Sequence, residues 1–307
     1  MKIGISDGKV YRDNVLDDSS QKVLKRLKDI GYECLDYNMP LACMRPDPIF
    51  KQERKVWVNH FKEMKKMIEG EGLCVAQAHA TFNTCYDPNY PFEVTNEIVD
   101  QINKEIEATS ILGSKYIVIH PICKYIAPFR EEHYLGLKQD DYLLNMRELK
   151  KFEPALKEFN VKGCLENLFL FSFHSRHAVA TGCSTAKDLL EYKNGLNSDH
   201  YGICFDTGHA NILWSNLTEE IKMLGDNLSI LHVHDNSHAD DEHLAVGTGS
   251  IDWKAFAKAL KDIGYKGNFC MEIHIANMLK LGKDLAWQYL QLAHDSARTV
   301  LTEANFK

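Results

Sequence analysis

Six short apolar runs of this chain end in a residue that binds metals or moves protons. They are CVAQAH ending in His79, YIVIH in His120, KGCLE in Glu166, GICFD in Asp206, LSILH in His232 and GNFCME in Glu272. One polar residue closing a strand is ordinarily a turn or cap residue; six at regular intervals call for a shared purpose. The strands of a (β/α)8 barrel open their C-terminal ends into one mouth, where residues far apart in sequence converge. Three carboxylates and an imidazole (Glu166, Asp206, His232 and Glu272) make an oxygen-rich donor set. Such a set suits one divalent ion, Mn2+, Mg2+, Co2+ or Zn2+, rather than a thiophilic metal. The runs that carry these residues contain almost no Lys or Arg to neutralise them, and buried acids without a cation are costly.

The elements that must position this set follow from the same pattern. KIGIS from Lys2 and ECLDY from Glu33 bring the strand candidates to eight. Most are continuously apolar, as expected of parallel strands covered on both faces. Between them lie amphipathic stretches such as SSQKVLKRLKDIG, FKEMKKMIEGEG, TNEIVDQINKEIEATSILG and STAKDLLEYKNG, each ending in a glycine suited to a helix cap. No Pro-, Ser- or Gly-rich linker interrupts the repeat, so residues 1–307 are expected to form a single (β/α)8 TIM barrel domain. An open doubly wound sheet has little support, because no GxGxxG turn follows the first strand. Segments 38–50 and 121–139 exceed the usual connection length and are expected to wall or cover the mouth.

Composition narrows the setting. The chain has 307 residues, 45% of them hydrophobic and 26% charged, which is ordinary for a globular protein. Its 43 acidic and 36 basic residues leave a net charge of −7, and no basic cluster stands out, which disfavours nucleic acid as a partner. The nine cysteines form no CxxC pair and are expected to be reduced, mostly buried thiols of a cytoplasmic protein. No apolar run is long enough to span a membrane or to serve as a signal peptide.

The strings CLENL (164–168), FDTGHAN (205–211), LHVHDN (231–236), DEHLAVGTGSIDW (241–253) and MEIH (271–274) resemble the xylose isomerase-like TIM barrel superfamily. That group holds sugar isomerases and epimerases together with barrels of the apurinic endonuclease type. The resemblance implies one divalent ion held by Glu166, Asp206, His232 and Glu272, the set reached above from the chemistry of the strand ends. It also implies that His209 touches the substrate beside the metal. The HxxD spacing to Asp235 selects His232 over His234, which is left a supporting or surface role. In the endonucleases a pair like Asp241 and His243 joins residues like His79 and His120 to hold further zinc ions. Sugar-processing relatives carry the same string, so these four are candidates for additional metal or for substrate.

The expected function is therefore that of a metal-dependent isomerase or epimerase acting on a sugar, keto-sugar or sugar acid through an enediolate. Glu166, Glu272 and His209 would be its catalytic residues, and its partner a small carbohydrate. A keto-sugar lyase or dehydratase, an apurinic endonuclease-like zinc phosphodiesterase and a non-catalytic sugar-binding barrel are the rivals; homo-oligomerisation is left open. Trp214, Phe82 and Trp253 are expected in the core more than on a sugar face. Asn145 and Asn167 could orient ligands or simply serve turns, and the GTGS turn at 247 could receive a phosphate.

Overall fold

Nearly continuous burial along the barrel strands, combined with parallel pairing, builds the barrel from its strands outward. The computed structural model describes residues 1–6, 19–39, 48–81, 96–123, 138–172 and 177–306. In chain order the strands are β1 (Ile3–Ser6), β2 (Cys34–Asn38), β3 (Cys74–His79), β4 (Tyr116–Ile119) and β5 (Lys162–Glu166). A short antiparallel pair, β6 (Phe169–Phe171) and β7 (Ala178–Ala180), comes next, and then β8 (Tyr201–Asp206), β9 (Leu228–His232) and β10 (Phe269–Met271). Eight of these pair in parallel in the order β10-β1-β2-β3-β4-β5-β8-β9. The last seam is closed beyond β9, where Val233 donates to the Cys270 carbonyl and accepts from the Glu272 amide at 2.9 and 3.0 Å. All eight expected strands are present, and the fold is a (β/α)8 barrel.

Helices return the chain outside the barrel, the main ones being Ser20–Ile30, Arg54–Gly70, Asn96–Leu112, Lys138–Leu149, Ala186–Leu196, Trp253–Asp262 and Lys283–Glu303. The stretch expected from residue 61 begins earlier, at Arg54, because Trp57 joins Phe61 on the buried face. Gly31 and Gly113 follow their helices with positive φ, 122° and 90°, as expected of caps. Gly195 is a correction: the helix runs through it to Leu196 and Asn197 takes the left-handed cap at φ 47°. A Cβ at Gly195 would overlap the Tyr142 hydroxyl, so this glycine serves close helix packing. Phe82 and most of the expected wall segments 38–50 and 121–139 lie outside the described residues. Among the described residues no helix is long and apolar enough to cross a membrane.

Candidate metal centre

The six strand-end residues do converge. His79, His120, Glu166 and Glu272 line one cavity of about 320 Å³ together with His209, Asp241, His243 and His274. Cys123, Leu168, Phe169 and Leu170 supply its apolar wall; the last two belong to β6, an excursion that the sequence reading does not contain. Among the described lining residues there is no Lys or Arg.

Glu166, Asp206, His232 and Glu272 present ligand atoms that all lie within 4.8 Å of one another. His232 Nδ1 stands 2.8 Å from Glu166 Oε1, 3.4 Å from Glu272 Oε2 and 4.0 Å from Asp206 Oδ2. Its other nitrogen, Nε2, donates to Asp36 Oδ2 at 2.7 Å. Gln77 Nε2 donates to that same oxygen at 3.0 Å and to the Leu231 carbonyl at 3.1 Å. A carboxylate behind an imidazole fixes the ring tautomer and raises its basicity, so in the singly protonated ring Asp36 leaves the Nδ1 lone pair facing the three carboxylates. Sequence reading missed Asp36 and Gln77. A signal for Asp36 existed: Cys-x-acid recurs at 34–36, 164–166, 204–206 and 270–272, each time on or just beyond a barrel strand.

Three more imidazoles are locked in the opposite sense. His79, His209 and His243 donate Nδ1–H to the backbone carbonyls of Ala80, Asn167 and Glu272 at 2.9, 2.8 and 2.7 Å. A carbonyl can only accept, so in each singly protonated ring the Nε2 lone pair points away from the backbone. His79 Nε2 then lies 3.0 Å from His120 Nε2 and 3.6 Å from Glu166 Oε2. His243 Nε2 and His209 Nε2 face Asp241 Oδ2 at 2.9 and 3.7 Å. Lone pairs aimed at carboxylates need a proton or a metal ion between them, and this donor chemistry fits a divalent ion.

The electrostatics agree. Burial by itself would push the Glu166 carboxyl up, but the charges of His232 and His120 and their hydrogen bonds hold it well below the usual carboxylate range. Glu272, its side chain 26% exposed and facing His232 and His243, is drawn down to about 2. Burial opposes the charged form of His232 and His209, yet the surrounding anions, Glu166 among them in each case, hold both well above the ordinary imidazole value. Burial lowers His120 instead, with Glu166 opposing it.

Other expectations resolve case by case. His234 is fully buried against Asp206, so the surface role is wrong. Asn167 pairs with the backbone of Asp206, donating to its carbonyl at 2.9 Å and accepting from its amide at 2.7 Å, and so fixes that strand end. Asn145 instead latches the amide and carbonyl of Ile122 behind His120. The Gly247 amide and the Trp253 indole both donate to Asp235, at 3.1 and 2.7 Å. The GTGS turn is thus folded around an internal carboxylate rather than open for a phosphate. Trp253 is buried, as expected, whereas Trp214 is 76% exposed, its ring stacked on His238 at 3.7 Å.

Comparisons with known proteins agree with this architecture. The model of a family described as xylose isomerase-like TIM barrel matches residues 24–291. An uncharacterized protein of Methanocaldococcus jannaschii is 29% identical over 219 residues, covering 71% of this chain and 70% of that one. The inosose isomerase of Bacillus subtilis is 27% identical, covering 63% and 66%. The D-psicose 3-epimerase of Enterocloster bolteae is 26% identical, covering 48% and 45%, so that match spans less than half of the epimerase. Among solved structures, the IolI protein with a bound zinc atom superposes with a TM-score of 0.73 at 20% identity over the full length of both chains. D-psicose 3-epimerase with D-fructose gives 0.72 at 16% identity, covering 98% and 99%. At these identities the structural likenesses carry the fold.

Proposed function

Because the chain belongs to the xylose isomerase-like TIM barrel family, we propose that it is a divalent-metal-dependent isomerase or epimerase of a sugar, keto-sugar or sugar acid, working as one barrel domain over residues 1–307. The observation that carries this reading is the meeting of Glu166, Asp206, His232 and Glu272 beside a cavity sized for a small molecule. A divalent ion held there would polarise a carbonyl and stabilise the charge that develops when the neighbouring C–H is deprotonated. Glu166 and Glu272 both line the cavity and both are held as carboxylates. For epimerisation one carboxylate would take the C–H proton while the other, first protonated from solvent, would return its proton to the opposite face, so that the two end with exchanged protonation states. His209, its ring fixed by the Asn167 carbonyl, offers Nε2 to a substrate hydroxyl. Leu168, Phe169 and Leu170 give the sugar an apolar face to pack against.

Metal content and isotope exchange test this together. Purified protein is loaded with Mn2+, Co2+ or Zn2+ and incubated in heavy water with free ketohexoses, ketopentoses and hydroxypyruvate-like acids. Deuterium on the carbon beside the carbonyl of at least one of them is the expected result. A second reading draws on the Nε2 atoms of His79 and His243 facing Glu166 and Asp241. Those contacts favour further ions and, with them, a zinc phosphodiesterase. Three tightly held ions, cleavage of an abasic-site oligonucleotide and no exchange into any sugar would overturn the first reading in favour of the second.

A further inference from the structure

We infer that His234 is a positioning residue for Asp206, donating Nε2–H to that carboxylate from a slot that exists because residue 208 is glycine, and that it is not itself a metal ligand. The inference rests on the proposed ion site for its consequence, though not for its geometry. His234 is fully buried, and its Nε2 lies 3.0 Å from Asp206 Oδ1 and 3.1 Å from Oδ2, bridging the two oxygens. The backbone is pinned as well: the Thr207 hydroxyl donates to the His234 carbonyl at 2.8 Å and accepts from its amide at 3.0 Å. A Cβ on Gly208 would overlap the Cε1 edge of the imidazole ring, so a side chain at 208 would displace the ring from Asp206. On its other side the ring stacks on His243 at 3.9 Å and 12°, and His243 stacks on the cavity-lining His274 at 4.0 Å and 12°.

The tautomer separates His234 from the other rings. His79, His209 and His243 each give Nδ1–H to a backbone carbonyl and so, when singly protonated, have Nε2 bare. His234 Nδ1 is buried with no hydrogen-bond partner. If His234 Nε2 bound a metal, its one proton would have to sit on that Nδ1, leaving a buried donor unpaired. With the proton on Nε2 instead, the donor meets the Asp206 carboxylate. That choice sets the carboxylate's orientation toward the ion and leaves no buried N–H unsatisfied. The neighbouring His234, Asp241 and His243 group, although close enough to hold an ion, is therefore assigned to packing and orientation at its His234 corner.

The test reads the tautomer and the ion separately. In two-dimensional 15N spectra of histidine-labelled full-length protein, His234 is expected to show a protonated Nε2 and a bare Nδ1, unchanged when Zn2+ is added. A zinc-induced shift at Nε2, or a proton on Nδ1, overturns the assignment, and this readout holds even if the chain binds no ion at all. Co2+ titration followed by visible absorbance then reads the consequence. Loss of Co2+ binding in the unaltered protein would condemn the ion site rather than the tautomer. Where the unaltered protein binds Co2+, His234→Ala and Gly208→Ala should weaken affinity by about 10- to 100-fold and alter the absorption bands. His234→Gln, whose amide reaches the same place as Nε2, should recover most of the affinity. Unchanged Co2+ affinity and spectrum in folded His234→Ala, or no recovery by Gln, would overturn it.

Discussion

Two layers of the barrel interior lie one strand period apart and behave oppositely. In the lower layer Val118, Cys164, Cys204 and Ile230 form a small apolar cluster of their own, and Cys34 and Cys270 meet beside Gly4. Two residues further along the same runs stand His120, Glu166, Asp206, His232, Asp36 and Glu272. The lower layer is buried and the upper one largely so, Glu272 being 26% exposed. In the lower layer burial pushes the Cys164 thiol up to about 12 and Cys204 well above the usual range, and the Cys34 contact together with burial does the same for Cys270. These thiols stay protonated and pack as small apolar groups. One step higher, facing imidazoles overcome the effect of burial on Glu166 and Glu272 and hold both carboxyls below the usual range. Burial alone therefore does not set the charge state of a layer; the groups facing it do.

The largest effect should come from breaking the upper layer. Glu166→Gln or Asp206→Asn removes an anionic ligand at nearly constant volume and should lower bound divalent ion and turnover by about 100-fold or more; elemental analysis after gel filtration and a rate assay check this. Full occupancy in both variants would end the assignment of these ligands.

A smaller effect is expected behind the layer. Asp36→Asn keeps the shape but loses the carboxylate that orients His232, so ion affinity should fall by about 10- to 100-fold with the fold intact. An affinity equal to that of the unaltered protein would show that Asp36 is only a packing residue.

The pH response follows from the same contrast. The pKa values of His209 and His232 are raised above the ordinary 6.5. Raised basic groups stabilise the metal-free fold fully below their unfolded value, and that stabilisation is lost as pH rises through the folded values. An ion at the proposed site needs His232 deprotonated. The gap in Tm between ion-loaded and chelator-treated protein should therefore widen as pH increases above 6.5, and a gap that stays flat or narrows would contradict the charge array described here.

The smallest effect belongs to the lower layer. Cys164→Ala should cost about 1–2 kcal/mol of stability, read by denaturant unfolding, through lost packing, and should leave ion affinity within a factor of two or so. A large loss of metal in that variant would mean that the thiol layer does more than support.

Much of this was legible in the chain itself. Continuous apolar runs of strand length separated by amphipathic helix-length stretches specify parallel strands and their returns, because both periods are local properties of the backbone. A residue that ends such a run is carried to the barrel mouth by the architecture alone, so His79, His120, Glu166, Asp206, His232 and Glu272 could be named together from their spacing. The alternation that places Cys164 below Glu166 is equally local. What tertiary structure decided was everything that depends on a partner far away in sequence. Asp36 becomes the support of His232 across 196 positions, and Asp235 gathers the GTGS turn around itself. His234 is turned inward by a glycine on the preceding strand's helix, whereas Trp214 is left outside. No period encodes these outcomes, since they rest on which carbonyl, carboxylate or missing Cβ the closed barrel brings within about 3 Å of a ring nitrogen.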